Sequence, residues 1–219
     1  MPDKLLRVLF GVAFACVTGG TALASNNKAM DADLHAIELQ WEHIKFDEDG
    51  SPNQFDDIDA LAKRAAGVIQ KYPGRAEPLI WEGIVISEEA GMAGTMSALG
   101  YAKAAKAVLE QAFQRDPAAL DAGAPTSLGV LYSRVPGWPI GFGDNDKARE
   151  LLTQAVSLAP NGMDANYFYG DFLMGQHEYA AAHKILKHAL SLPLQPDRPL
   201  WDKNRRAVIR ELMAKAAAN

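Results

Sequence analysis

Cysteine is almost missing from this chain: Cys16 is the only one in 219 residues. Should the segment that contains it be removed, nothing remains for a disulfide framework, a thiolate metal site or a cysteine nucleophile. A large excess of one charge is missing too. The chain has 22 basic and 27 acidic residues, and without Asp3, Lys4 and Arg7 the balance is 20 against 26. That mild acidity makes nucleic acid an unexpected partner. Beyond the first 25 residues no apolar run is long enough to cross a bilayer. About 195 residues follow Ala24, enough to bury a sizeable core without crosslinks.

Catalytic and metal-binding constellations are missing as well. The five histidines, His35, His43, His177, His183 and His188, contain no i, i+3 or i, i+4 pair, so a zinc site would have to be assembled across helices. Asp47, Glu48, Asp49, Asp56 and Asp57 cluster around Gly50. Setting Gly50 at the sixth position of a calcium loop puts Lys45 where the first carboxylate belongs, so the stretch reads as an acidic connection between helices. Ser127, Ser133 and Ser157 have no Gly-x-Ser-x-Gly context, and Gly141-x-Gly143 lacks the strand and further glycines of a phosphate cradle. The expectation is a non-enzymatic protein with no cofactor and no metal.

The N-terminus carries an address. Lys4 and Arg7 precede an apolar run from Val8 to Val17, and Ala22-Leu23-Ala24 supplies small residues for cleavage. This predicts a signal peptide over 1–24, cleaved after Ala24, and a periplasmic mature protein. Two alternatives stay open: a single membrane anchor, for which the run is short and broken by Thr18, Gly19 and Gly20, and lipidation of Cys16, for which Ala13 and Phe14 are poor neighbours. A membrane tether is therefore not expected.

What the chain does have is a repeat. Ala105-Leu109-Ala112-Pro117 recurs as Ala148-Leu152-Ala155-Pro160, and Ala182-Leu186-Ala189 follows with its proline one residue early at Pro193. Small alanines let one helix approach its neighbours, leucine fills the gap and proline ends the helix. Each quartet is preceded by a glycine on a predicted first helix, Gly83, Gly129 or Gly170. Leu128-Gly129-x2-Tyr132 fits the tetratricopeptide (TPR) pattern best. The glycine-to-alanine distances of 22, 19 and 12 residues place insertions around 91–100 and 134–144. A degenerate helix with Leu61, Ala65, Val68 and Pro73 pairs with one carrying Leu34, Ile37, Trp41 and Ile44. The predicted fold is all-α, an irregular TPR-like stack of helical hairpins over 30–216. A C-terminal capping helix is expected to turn Leu200, Trp201, Ala207, Val208 and Leu212 inward. Its Arg205-Arg206 pair is expected on the outside, as a solvated face or an anionic docking patch.

The insertion Arg134-Val-Pro-Gly-Trp-Pro-Ile-Gly-Phe-Gly-Asp144 places two aromatics among two prolines and three glycines. Such a loop either binds or plugs its own hairpin, with Asp144 capping the next helix. Gly-Phe-Gly-Asp144-x-x-Lys147-Ala148, leading into Leu151-Leu152-x-x-Ala155-x-x-Leu158-x-Pro160, resembles the T-component (TatT-like) family of TRAP transporters over residues 75–192. That resemblance implies an exported accessory protein that engages a periplasmic solute-binding protein, and a homo-oligomer whose passage accepts apolar small molecules. The candidate partner- or ligand-binding residues are Trp81, Tyr132, Arg134, Trp138 and Phe142, aromatics for contact area and Arg134 for direction. Trp81 and Tyr132 would lie on first helices, which line the inner surface of TPR stacks. For Trp81 the competing reading is core, since Ile80, Ile84 and Val85 surround it. A general cell-envelope scaffold and a stand-alone small-molecule carrier are the alternative functions.

Overall fold

The computed structural model describes residues 19–218. Cys16 and the apolar run of the expected signal peptide lie outside the described residues. The chain is an all-α stack of α1 (Gly19–Phe46), α2 (Gln54–Lys71), α3 (Glu77–Met92), α4 (Thr95–Arg115), α5 (Ala119–Arg134), α6 (Asn145–Leu158), α7 (Met163–Gly175), α8 (Tyr179–Ser191) and α9 (Pro199–Ala217). Consecutive helices pack as hairpins, with α9 laid on α8 and α7.

One packing device recurs through the stack. All nine helical residues of the three quartets, Ala105, Leu109, Ala112, Ala148, Leu152, Ala155, Ala182, Leu186 and Ala189, are fully buried. The leucine of each lies on the glycine of the preceding helix. A Cβ on Gly83 would come within 2.5 Å of Leu109 Cγ, one on Gly129 within 2.6 Å of Leu152 Cγ, and one on Gly170 within 2.5 Å of Leu186 Cδ2. Two helices can approach this closely only where one has no side chain. Pro117, Pro160 and Pro193 follow the ends of α4, α6 and α8, where their missing N–H costs no helical bond.

Of the two expected insertions, the one at 134–144 is a loop and the one around 91–100 is helical. Only Ala93 and Gly94 separate α3 from α4. Compared with α7 and α8, the extra residues add about one turn to α3 and about two to α4. In α5 the backbone passes through the left-handed region at Leu120 (φ 48°), Asp121 (φ 51°) and Ala122 (φ 60°). The right-handed helix begins after this turn, which puts Pro125 in a first turn that tolerates it. Three consecutive non-glycine residues in that region carry strain of roughly 1–2 kcal/mol each.

The capping helix corrects the sequence expectation. Ala207 and Val208 are exposed, while Trp201, Asp202, Arg205, Arg206 and Ile209 are buried. The inward face follows i, i+4 spacing and includes charged residues, so neither a solvated Arg205-Arg206 face nor an external patch exists. Arg206 has a clear structural use. Its Nε donates to both Asp202 carboxylate oxygens at 2.9 Å, Nη1 donates to Leu190 O at 3.0 Å, and Nη2 donates to Leu192 O at 2.9 Å and Pro193 O at 2.8 Å. It thereby satisfies carbonyls at the end of α8 that have no helical partner.

The ends of the stack meet. Arg198, just ahead of α9, reaches α1, with Nε donating to Glu42 Oε1 at 2.5 Å and Nη1 2.9 Å from Glu38 Oε1. One continuous cluster of buried apolar residues runs through α1–α3 and α7–α9, including Ile37, Trp41, Trp81, Met163, Tyr167 and Trp201. The concave face is therefore closed by α9 against α1.

Candidate functional site

Closure leaves a cavity of about 330 Å³ on the inner face. Among the described helical residues, its walls come from α1, α3, α5, α7 and α9 and not from the even-numbered helices. Trp41 and Trp81 meet edge to face, ring centroids 6.0 Å apart. Tyr167, Phe168 and Trp201 form the opposite side, with the Arg205 guanidinium 4.1 Å from the Tyr167 ring centroid and 5.0 Å from that of Phe168. Arg198 covers Trp201 at 4.4 Å. Burial raises the Tyr167 phenol above its ordinary range, with Arg205 opposing, so Tyr167 is neutral at physiological pH.

Most charges around the cavity are paired, Asp121 being the exception among the described residues. Lys45 Nζ lies 2.7 Å from Glu88 Oε2, Arg205 Nε 2.8 Å from Asp164 Oδ1, and Arg134 Nη2 3.0 Å from Asp171 Oδ2. Several polar atoms are not. Among the described residues, Trp41 Nε1, Trp201 Nε1, Thr126 Oγ1, Asp164 Oδ1 and Arg205 Nε are buried with no hydrogen-bond partner, and all five residues line the cavity. The strained turn supplies Leu120 and Asp121 to the wall.

A second feature is the 135–144 loop. Gly143 N donates to Pro136 O at 2.9 Å, and Ile140 N and Gly141 N both donate to Gly137 O at 3.1 Å. Asp144 caps α6, its side chain accepting from Asp146 N and Lys147 N. A Cβ on Gly143 would fall 1.8 Å from Val135 O, so the chain can double back this tightly only through glycine. This pinned loop leaves Trp138 90% and Ile140 70% exposed.

The five expected site residues fall into three groups. Trp81 is buried, as the core reading has it, and also lines the cavity; Arg134 lines it nearby. Tyr132 and Phe142 pack edge to face at 5.5 Å as part of the hairpin core, and neither lines the cavity. Trp138 stands alone at the loop tip. Sequence reasoning left Trp41, Tyr167 and Trp201 out of the site and set Arg205 on the outer face of its helix. Trp41 and Trp201 were legible as inward positions of their helices, but the end-to-end meeting that groups them is a long-range contact without a local signal.

Among the described residues, no group of three or more His, Cys, Asp or Glu could hold a metal ion, and no helix is long and apolar enough to cross a membrane. Residues 140–215 match the tetratricopeptide repeat family model, about a third of the chain, covering α6 to α8 and most of α9. No curated protein matches the chain. The chain is TPR-like, and TPR repeats generally mediate protein–protein interaction or scaffolding.

Proposed function

We propose that this is an exported, non-enzymatic TPR-like accessory protein that docks a protein partner on its 135–144 loop. The observation that carries the reading is Trp138: a loop held by backbone bonds and glycine contacts keeps a bare indole and the adjacent Ile140 in solvent. Rigid exposed aromatics supply contact area at little entropic cost. Export rests on the N-terminal sequence. The Gly-Phe-Gly-Asp144-x-x-Lys147-Ala148 stretch suggests a TRAP-type periplasmic solute-binding protein as partner, and a homo-oligomer as the assembly.

The test is a pull-down from periplasmic extract with wild type and a Trp138→Ala, Ile140→Ser variant shown by circular dichroism to stay folded. Phe142 is left intact because it packs on Tyr132. Recovery of an identified solute-binding protein by wild type only is the expected outcome; equal recovery by both removes the loop as the docking site. The inner-face cavity favours a second reading, a carrier that holds a small apolar molecule within one protomer.

A further inference from the structure

The cations on the cavity wall are all answered. Lys45, Arg134 and Arg205 each face a carboxylate, and Arg198 faces two. Asp121 is left over: its side chain is exposed at the wall and makes no hydrogen bond or ion pair among the described residues. It sits in the left-handed turn at φ 51°, a conformation that Asp and Asn adopt more readily than other side chains. Packing fixes that turn. Ala122 is fully buried in a cluster with Ala155, Ala159 and Ala165, and a Cβ on Gly123 would come within 2.8 Å of Ile80 Cγ2. Asp121 Cβ lies 3.3 Å from where a Cβ on Gly162 would stand, which sets Asp121 against the α6–α7 turn that carries Asn161. Asn161 and Gln195, the latter from the α8–α9 connection, also line the cavity. Both side chains are exposed and unpartnered among the described residues.

We infer that the cavity binds a small organic cation, with a primary ammonium at Asp121 and an apolar body along Ile84, Val130 and Phe168. This rests on the carrier reading of the cavity. An ammonium has three donors and no acceptor, and free acceptors come from three separate segments: the Asp121 carboxylate and the amide oxygens of Asn161 and Gln195. A carboxylate head would meet Asp121 with like charge. A hydroxyl could bond to the same groups but would leave that charge uncompensated, and a charge-assisted bond is about twice as strong when both sides are ionised rather than neutral. Ile84, Val130 and Phe168 line the cavity and are only partly buried, so they have apolar surface left for a ligand to cover, and Leu120 beside Asp121 is 43% exposed. At roughly 30 Å³ per water-sized group, a cavity of about 330 Å³ admits a phenyl ring with a short alkyl chain and one head group.

The experiment is calorimetric titration of the purified protein with 4-phenylbutylamine, 4-phenylbutanol and 4-phenylbutyrate. The amine is expected to bind about fivefold to tenfold tighter than the alcohol, the size of one charge-assisted contact at a cavity rim, and the acid more weakly than either. Asp121→Asn keeps the shape and the tolerance of the left-handed turn, and should bring the amine down to the alcohol while leaving the alcohol unchanged. Asp146→Asn removes the same charge from α6, which does not line the cavity, and should leave all three ligands unmoved. Circular dichroism checks that both variants fold. Equal affinity for amine and alcohol, an amine affinity unmoved by Asp121→Asn, or an equal loss in both variants overturns the head-group assignment, while alcohol binding keeps the carrier reading. If none of the three binds, both are overturned.

Discussion

Glu89 is held on α3 at 3% exposure, and burial, helped by the negative charge of Asp59 and opposed by Lys63, raises its carboxyl to about 7. Between the ordinary carboxylate range and that value, the folded chain keeps a proton that the unfolded chain has released. Stability therefore falls as pH rises through this window and levels off above it. Glu89→Gln keeps the shape and removes the ionisation. Its melting temperature should match wild type near pH 4 and exceed it by several degrees at pH 8, at about 2–4 °C per kcal/mol for a chain of this size. Thermal melts at the two pH values decide it, and an equal gain at both would remove the burial argument. Single residues were also where the sequence was hardest to read. Charge normally marks a helix face as outward, but Asp202 and Arg206 face inward because they satisfy each other and the end of α8, and Arg205 because it meets Asp164 and the Tyr167 and Phe168 rings. The left-handed turn at Leu120–Ala122 carries no glycine or asparagine to announce it, and only Pro125, too early for a helix interior, hints at it.

Whole elements were far more legible, because the quartets encode helix contacts directly. The glycine-to-leucine contact makes this testable within one hairpin. Gly129→Ala drives a methyl group into Leu152 Cγ, which lies 2.6 Å from where its Cβ would be, and should cost about 1–3 kcal/mol by overpacking. Gly67, in α2, has nothing within 4 Å of such a Cβ, so Gly67→Ala should stabilise by about 0.5–1 kcal/mol through helix propensity alone. Urea unfolding of the two variants checks the opposite signs, and matching signs would mean the three contacts are incidental. Element boundaries were legible where a breaker marks them, as at Pro117 and Pro160. The stretch 91–100 has no proline, and its extra length went into α3 and α4.

At the scale of the molecule, the decisive contact joins Arg198 to Glu38 and Glu42, and no sequence period can reveal a pairing across 156 positions. Open repeat stacks behave as chains of nearest neighbours whose ends fray independently. Joining α9 to α1 removes that independence. Glu42 is only 2% exposed, so Arg198→Met leaves a buried carboxylate without its cation and should cost about 3–5 kcal/mol. Adding Glu42→Gln should recover part of that loss, since the uncompensated charge is then gone while the closure is still broken. Hydrogen exchange separates the two effects. In the double variant, amides of α1 and α9 should both exchange faster although they lie at opposite ends of the sequence, while those of α4 to α6 keep their protection. If only α9 loosens, the salt bridge anchors a terminal helix and nothing more. If both loosen together, the cavity exists because the stack is closed, and any ligand it holds should in turn slow exchange at both ends.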